Sequence, residues 1–128
     1  MTLALTAIYA APLGLLAIGL STSVTLLRAK TKILIGEGGD DALLLGIRRH
    51  GNFIETVPLA LILMLLAELG GGWTVLIHIA GVALLAGRVF HMIGLSGESI
   101  SFLRGAGSML TNLSVVTSIA MIVLAAAS

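Results

Sequence analysis

Long apolar runs separated by short polar stretches organise this chain, and each run is long enough to cross a bilayer. Residues 3–27 carry no charge. That run exceeds the apolar core of a signal peptide, about 7 to 15 residues, and no basic segment precedes it, so it predicts a retained membrane span. The most polar stretch follows: Arg28-Ala29-Lys30-Thr31-Lys32, then Gly36-Glu37-Gly38-Gly39-Asp40-Asp41. It reads as a solvated loop whose glycines interrupt the helix and whose aspartates suit the N-cap of the next. A second helix is expected over 42–69, because its uncharged part, 56–67, is too short to cross alone. Its first turns then carry Arg48, Arg49, His50, Asn52 and Glu55 at the interface. Gly70-Gly71-Gly72 ends it, and Trp73 takes an aromatic-belt position. A third span over 73–95 holds Arg88 and His91 towards its far end, Ser96-Gly97-Glu98-Ser99 connects, and a fourth over 102–127 has Arg104 as its one charge. The fold class expected is all-α: one domain over 1–128, an integral membrane bundle of four transmembrane helices.

Composition agrees. Of 128 residues 58% are hydrophobic and 10% charged, against about 25% charged in soluble domains, which rules out an ordinary soluble globule. At about 20 apolar residues per span there is room for about four helices and no separate soluble domain. Seven Lys+Arg against six Asp+Glu leave +1, no surplus with which to follow a nucleic acid. With no cysteine, disulfides, thiolate metal sites and a thiol nucleophile of the chain's own are excluded. The three histidines share no metal-site spacing, and neither a phosphate loop nor a Ser-His-Asp pattern is present, so no metal is expected. If all four helices cross, Arg28, Lys30, Lys32, Arg48, Arg49, Arg88 and Arg104 lie on one side. The positive-inside rule makes that side cytoplasmic and places both termini outside.

Ionisable groups in a membrane cost about 2.5–3.5 kcal/mol each on insertion scales and mark a site or a buried polar contact. At about 100° per residue Arg48, Asn52 and Glu55 share a helix face about 60° wide. Arg88 and His91 share a face of the third helix, Arg104 begins the fourth and Arg28 ends the first, so every helix brings a cation to one depth. Only Glu55 and Glu98 oppose them. An excess of positive charge suits an anionic ligand; the structural alternative is that the arginines snorkel to headgroups and one of them satisfies Glu55. Pro58 frees the Ile54 carbonyl beside this face. Ala10, Gly14, Ala17 and Ser21 form a small-residue stripe suited to close helix approach. His78, near the opposite end of the third span, reads as structural, and Tyr9 sits at the wrong end of the first helix to join the cations.

The run Arg48-Arg49-His50-Gly51-Asn52-Phe53-Ile54-Glu55-Thr56-Val57-Pro58 resembles the second-helix signature of the MAPEG family, membrane-associated proteins in eicosanoid and glutathione metabolism. Gly87-Arg88-Val89-Phe90-His91 resembles the third helix of the prostaglandin E synthase branch, and Gly36-Glu37-Gly38-Gly39-Asp40 the loop of short bacterial members. The resemblance covers nearly the whole chain. It implies a homotrimer in a bacterial inner membrane, with glutathione between protomers and a hydrophobic small-molecule substrate arriving from the bilayer. Carried over by position, Arg48, Asn52 and Glu55 bind glutathione, Arg28 or Lys30 adds a first-helix cation, Arg88 and His91 complete the site, and Arg104 is the catalytic, thiolate-stabilising arginine. Thr56 stands where many members have Tyr, and Leu95 where a third-helix Tyr falls one turn beyond His91. A chain without cysteine must borrow its thiol, and glutathione carries two carboxylates for an arginine cluster. The expected function is a glutathione-dependent transferase or peroxidase acting on a hydrophobic electrophile. The alternative is a non-catalytic lipid- or ligand-binding scaffold of the same fold, which the loss of both tyrosines favours. A small multidrug-type exporter would carry an acid in its first span, and none is there.

Overall fold

The computed structural model describes residues 4–96 and 101–127. Glu98 and the start of the first predicted span fall outside them. Four helices run in sequence: α1 Leu5–Thr31, α2 Asp41–Leu69, α3 Thr74–Gly94 and α4 Phe102–Ala126. All four are long and apolar enough to cross a membrane, so the chain is an all-α integral membrane protein.

The largest departure from the sequence reading is at the end of α1. Residues 28–31, expected in the loop, are helical. Arg28 and Lys30 occupy the last turn, where the negative end of the helix dipole favours cations. Lys32 then adopts a left-handed conformation, φ 60°, and donates its backbone N–H to the Arg28 carbonyl at 2.8 Å, an αL cap. The next start follows the capping rule: Asp40 Oδ1 accepts from the Leu43 amide at 2.8 Å. At the other connection among the cations, Ser101 Oγ accepts from the Arg104 amide at 3.2 Å and donates to the Gly94 carbonyl at 2.7 Å, joining the end of α3 to the start of α4.

Packing is uneven. Helices α3 and α4 lie closest, at glycines: a β carbon on Gly107 would fall 2.5 Å from the His91 amide nitrogen and 2.6 Å from the Gly87 carbonyl oxygen, and one on Gly94 would overlap the Arg104 backbone. Helix α1 packs on α2 and α3, and its backbone stays more than 8 Å, Cα to Cα, from that of α4 among the described residues. Leu13, Leu20, Phe53, Val57, Ala60 and Leu84 form one buried cluster, and Tyr9, Met64, Ala67, Ile77, Ala80 and Met121 another nearer the chain termini. Large side chains such as Leu15, Ile18, Val82, Val116 and Val123 are exposed on the protomer. The small stripe on α1 packs only in part within the protomer: Ala17 lies against the cluster of Leu13 and Leu20, whereas Gly14 and Ser21 are exposed, and nothing lies within 4 Å of a β carbon built on Gly14.

A polar cluster fastens α1 at the end opposite the arginines. Both carboxylate oxygens of Glu68 face the start of α1: Oε1 accepts from the Leu5 amide, and Oε2 accepts from the Thr6 amide at 2.8 Å and the Thr6 hydroxyl at 2.6 Å. A carboxylate at the C-terminal end of α2 opposes its own helix dipole but complements the positive N-terminus of α1. One turn further on, the Tyr9 hydroxyl bonds His78 Nδ1 at 2.7 Å, and the Tyr9 ring lies flat over Gly81, where any β carbon would overlap it. His78 thus has the structural partner that the sequence reading left unnamed.

Candidate functional site

At the arginine end, three helices converge on one guanidinium. Arg88 on α3 is 4% exposed. Its Nη1 donates to Asn52 Oδ1 at 2.7 Å and to Thr56 Oγ1 at 3.0 Å, both on α2, and its Nε donates to Thr111 Oγ1 on α4 at 3.0 Å. Asn52 and Thr56 are one turn apart, so a single helix face offers both acceptors. The hydroxyl protons are already spent. Thr56 donates to the Asn52 carbonyl at 2.8 Å and Thr111 to the Gly107 carbonyl at 2.9 Å, each along its own helix, which leaves their lone pairs for the arginine. Every acceptor is neutral. A charge buried in a membrane has thus been oriented but not neutralised, and Nη2 has no acceptor among the described residues.

His91, 7% exposed, lies three residues on, and the glycine contacts bring α4 against its backbone. Arg104 is half-buried at the start of α4, with its guanidinium unpaired among the described residues. Arg88, His91 and Arg104 therefore cluster on the α3–α4 pair, with Asn52 reaching in from α2.

The other sequence-predicted residues lie elsewhere. Arg48 and Glu55 are exposed on α2, so of the predicted face Asn52 alone turns inward. Arg28 Nη1 donates to the Ile33 carbonyl at 3.1 Å and the Gly36 carbonyl at 2.9 Å and bridges its own loop. Arg49 Nε donates to the Leu95 carbonyl at 2.9 Å, tying α2 to the end of α3. Sequence reasoning missed Thr56 and Thr111 as Arg88 acceptors. Thr56 entered only as a replaced tyrosine, and Thr111 carried no charge to mark it. One signal for Thr111 was present in the chain: Gly107 four residues before it, a small–small pair of the kind that seats close membrane helices.

Comparison with known proteins agrees with this architecture. The model of the MAPEG family matches residues 6–127. Inner membrane protein YecN of Escherichia coli (strain K12) is 42% identical over 88 residues, 69% of this chain and 67% of that protein, and the protein of the same name from Escherichia coli O6:H1 gives the same values. No solved structure gives a significant match. With four spanning helices, the Arg-Asn-Glu-Pro run on α2 and a family match over nearly its whole length, the chain belongs to the MAPEG family.

Proposed function

We propose that this protein is a membrane-embedded glutathione-dependent transferase or peroxidase acting on a hydrophobic electrophile, with the peptide held at the arginine end. The observation that carries the reading is Arg88: buried, held by three neutral acceptors, with a terminal nitrogen left over. Such a site is completed by an anion, and a bidentate carboxylate is the natural partner of a guanidinium. Asn52 positions Arg88, and His91 adds a second polar group. Arg104 stabilises the thiolate, aided by the N-terminus of α4. The thiol proton leaves to water as the thiolate forms, and the sulfur then attacks the electrophile and displaces its leaving group, a halide ion from an aryl halide; with a hydroperoxide it cleaves the O–O bond to give the alcohol and a glutathione sulfenic acid, which a second glutathione converts to the disulfide and water. Arg48 and Glu55, exposed on a single protomer, are assigned to a site shared with a neighbouring copy in a homotrimer, where Glu55 pairs the ligand's ammonium. With Arg28 Nη1 bridging its own loop, no first-helix cation is assigned to the ligand. The cations mark the cytoplasmic side of an inner membrane, with both termini outside.

A scaffold without turnover is the second reading. It is favoured at Leu95, whose side chain is buried and whose carbonyl is taken by Arg49, where related enzymes carry a tyrosine. Glutathione binding to detergent-solubilised protein, with product formation from an aryl halide, separates the two. The proposal expects binding and turnover, and Arg88→Met lowers affinity about 10-fold or more, the equivalent of one charge-assisted contact. Binding without product leaves the scaffold. No binding by the parent refutes both the pocket and the function.

A further inference from the structure

Between α1 and α2, Leu34 and Ile35 stand 82% and 92% exposed, yet the loop that carries them is tightly held. The two carbonyls that flank the pair, those of Ile33 and Gly36, both accept from Arg28 Nη1, at 3.1 and 2.9 Å. Lys32 closes the helix with its amide on the Arg28 carbonyl at 2.8 Å. The Ile33 side chain folds against Gly38, where a β carbon would come within 2.7 Å of its Cδ1. One guanidinium therefore pins both shoulders of the Leu34-Ile35 step, and the two side chains project outward from a fixed backbone.

The depth of that step follows from the helix. From Leu5 to Arg28, α1 rises about 35 Å, and the hydrocarbon core is about 30 Å thick. The Arg28 guanidinium thus lies at headgroup level, and so do carbonyls within hydrogen-bonding distance of it. Two bare aliphatic side chains are held at that level, beside the exposed Lys30 and Lys32. The loop's acidic residues, Glu37, Asp40 and Asp41, come after the pinned step, and Asp40 is turned to the α2 N-terminus as its cap.

The geometry points to residues 30–35 as a membrane-surface anchor, in which Leu34 and Ile35 enter the acyl boundary while Lys30 and Lys32 bind the phosphates of anionic lipid. Apolar side chains immersed about 5–10 Å below the surface with lysines at the headgroups are the arrangement of interfacial segments generally. The inference requires only that α1 spans the bilayer, and it stands whether or not glutathione binds.

Full-length protein carrying Trp73→Phe, which removes its one tryptophan, takes Leu34→Trp or, separately, Ile35→Trp. Each variant is reconstituted in phosphatidylcholine vesicles with or without phosphatidylglycerol, and with or without bromine on the upper acyl chain. The anchor predicts blue-shifted indole emission that is lost to bromine and protected from aqueous iodide. It also predicts that Lys30→Gln with Lys32→Gln lessens bromine quenching only in the phosphatidylglycerol vesicles. Quenching of both indoles by iodide and not bromine places the loop in water and overturns the proposal. Quenching by neither places it against a second copy, which overturns it equally. An unchanged bromine response on loss of both lysines overturns the role given to anionic lipid.

Discussion

Removing the Arg88 charge should harm the fold less than removing one of its acceptors. Asn52→Leu deletes the 2.7 Å bond and leaves a buried guanidinium short of its nearest partner. Hydrogen bonds to charged groups contribute about 1.5–3 kcal/mol in soluble proteins, whereas side-chain bonds between membrane helices average about 0.6 kcal/mol. A loss of about 1–2 kcal/mol is therefore expected. Arg88→Met removes the ion itself. Thr56 and Thr111 keep their bonds to the Asn52 and Gly107 carbonyls, so only Asn52 Oδ1 loses its partner, at about 1–3 kcal/mol. Against that, the fold no longer bears the desolvation of a buried cation, several kcal/mol even after relaxation. Arg88→Met should thus be no less stable than Asn52→Leu, and the double variant no worse than Asn52→Leu alone. Reversible unfolding in mixed micelles with rising dodecyl sulfate, followed by circular dichroism, measures all three. An Arg88→Met variant less stable than Asn52→Leu by more than about 2 kcal/mol would make Arg88 a net cross-link of the bundle, and the argument for an unmet buried charge would fail.

Gly107→Ala should push α3 and α4 apart at a cost of about 1–3 kcal/mol, because the new methyl meets backbone atoms of His91 and Gly87 that have little freedom to move. Gly105→Ala, with nothing within 4 Å, should stabilise by about 0.5–1 kcal/mol, and equal effects at the two sites on micelle unfolding would contradict the close crossing. Glu68→Ala should release the Leu5 and Thr6 amides and accelerate hydrogen exchange in the first turn of α1 while mid-α2 amides stay protected; unchanged exchange there would show that Glu68 does not hold the helix. Glu55→Gln should weaken glutathione binding by about 1.5–3 kcal/mol and Glu98→Gln much less, whereas equal affinities for both variants and the parent would mean that Glu55 is not in the pocket.

Uncharged runs, a glycine stop and an aspartate cap were enough to locate four helices, because in a membrane the backbone must satisfy itself and the helix is the structure that does so. The end of α1 is not legible from charge alone, because Arg28 and Lys30 suit a helix C-terminus as well as a loop and Arg28 reaches past it to two carbonyls. Within the candidate site, the charged members stood out in an apolar chain. What holds Arg88 did not, since hydroxyls of Thr56 and Thr111 are commonplace in membrane helices and their role depends on how α2 and α4 face α3. Helical periodicity placed Arg48, Asn52 and Glu55 on one face but could not say which edge of it turns inward. Glu68 was legible only in hindsight: an acid at a helix C-terminus is misplaced for its own helix and well placed for another.

In the proposed function the arginine end activates a borrowed thiol. A free thiol with a pKa near 8.5 is only a few per cent ionised at neutral pH, and lowering that by about two units takes about 2.7 kcal/mol of preferential stabilisation of the anion. Arg104, at the start of α4 with its guanidinium unpaired among the described residues, is the group proposed to supply it. The most direct test is the ultraviolet absorbance of glutathione thiolate at neutral pH on the detergent-solubilised protein and on Arg104→Ala. A thiolate band is expected on the parent and its loss in Arg104→Ala, with glutathione affinity within a few fold. A band that survives the substitution, or a parent that binds glutathione and never forms one, would contradict that expectation.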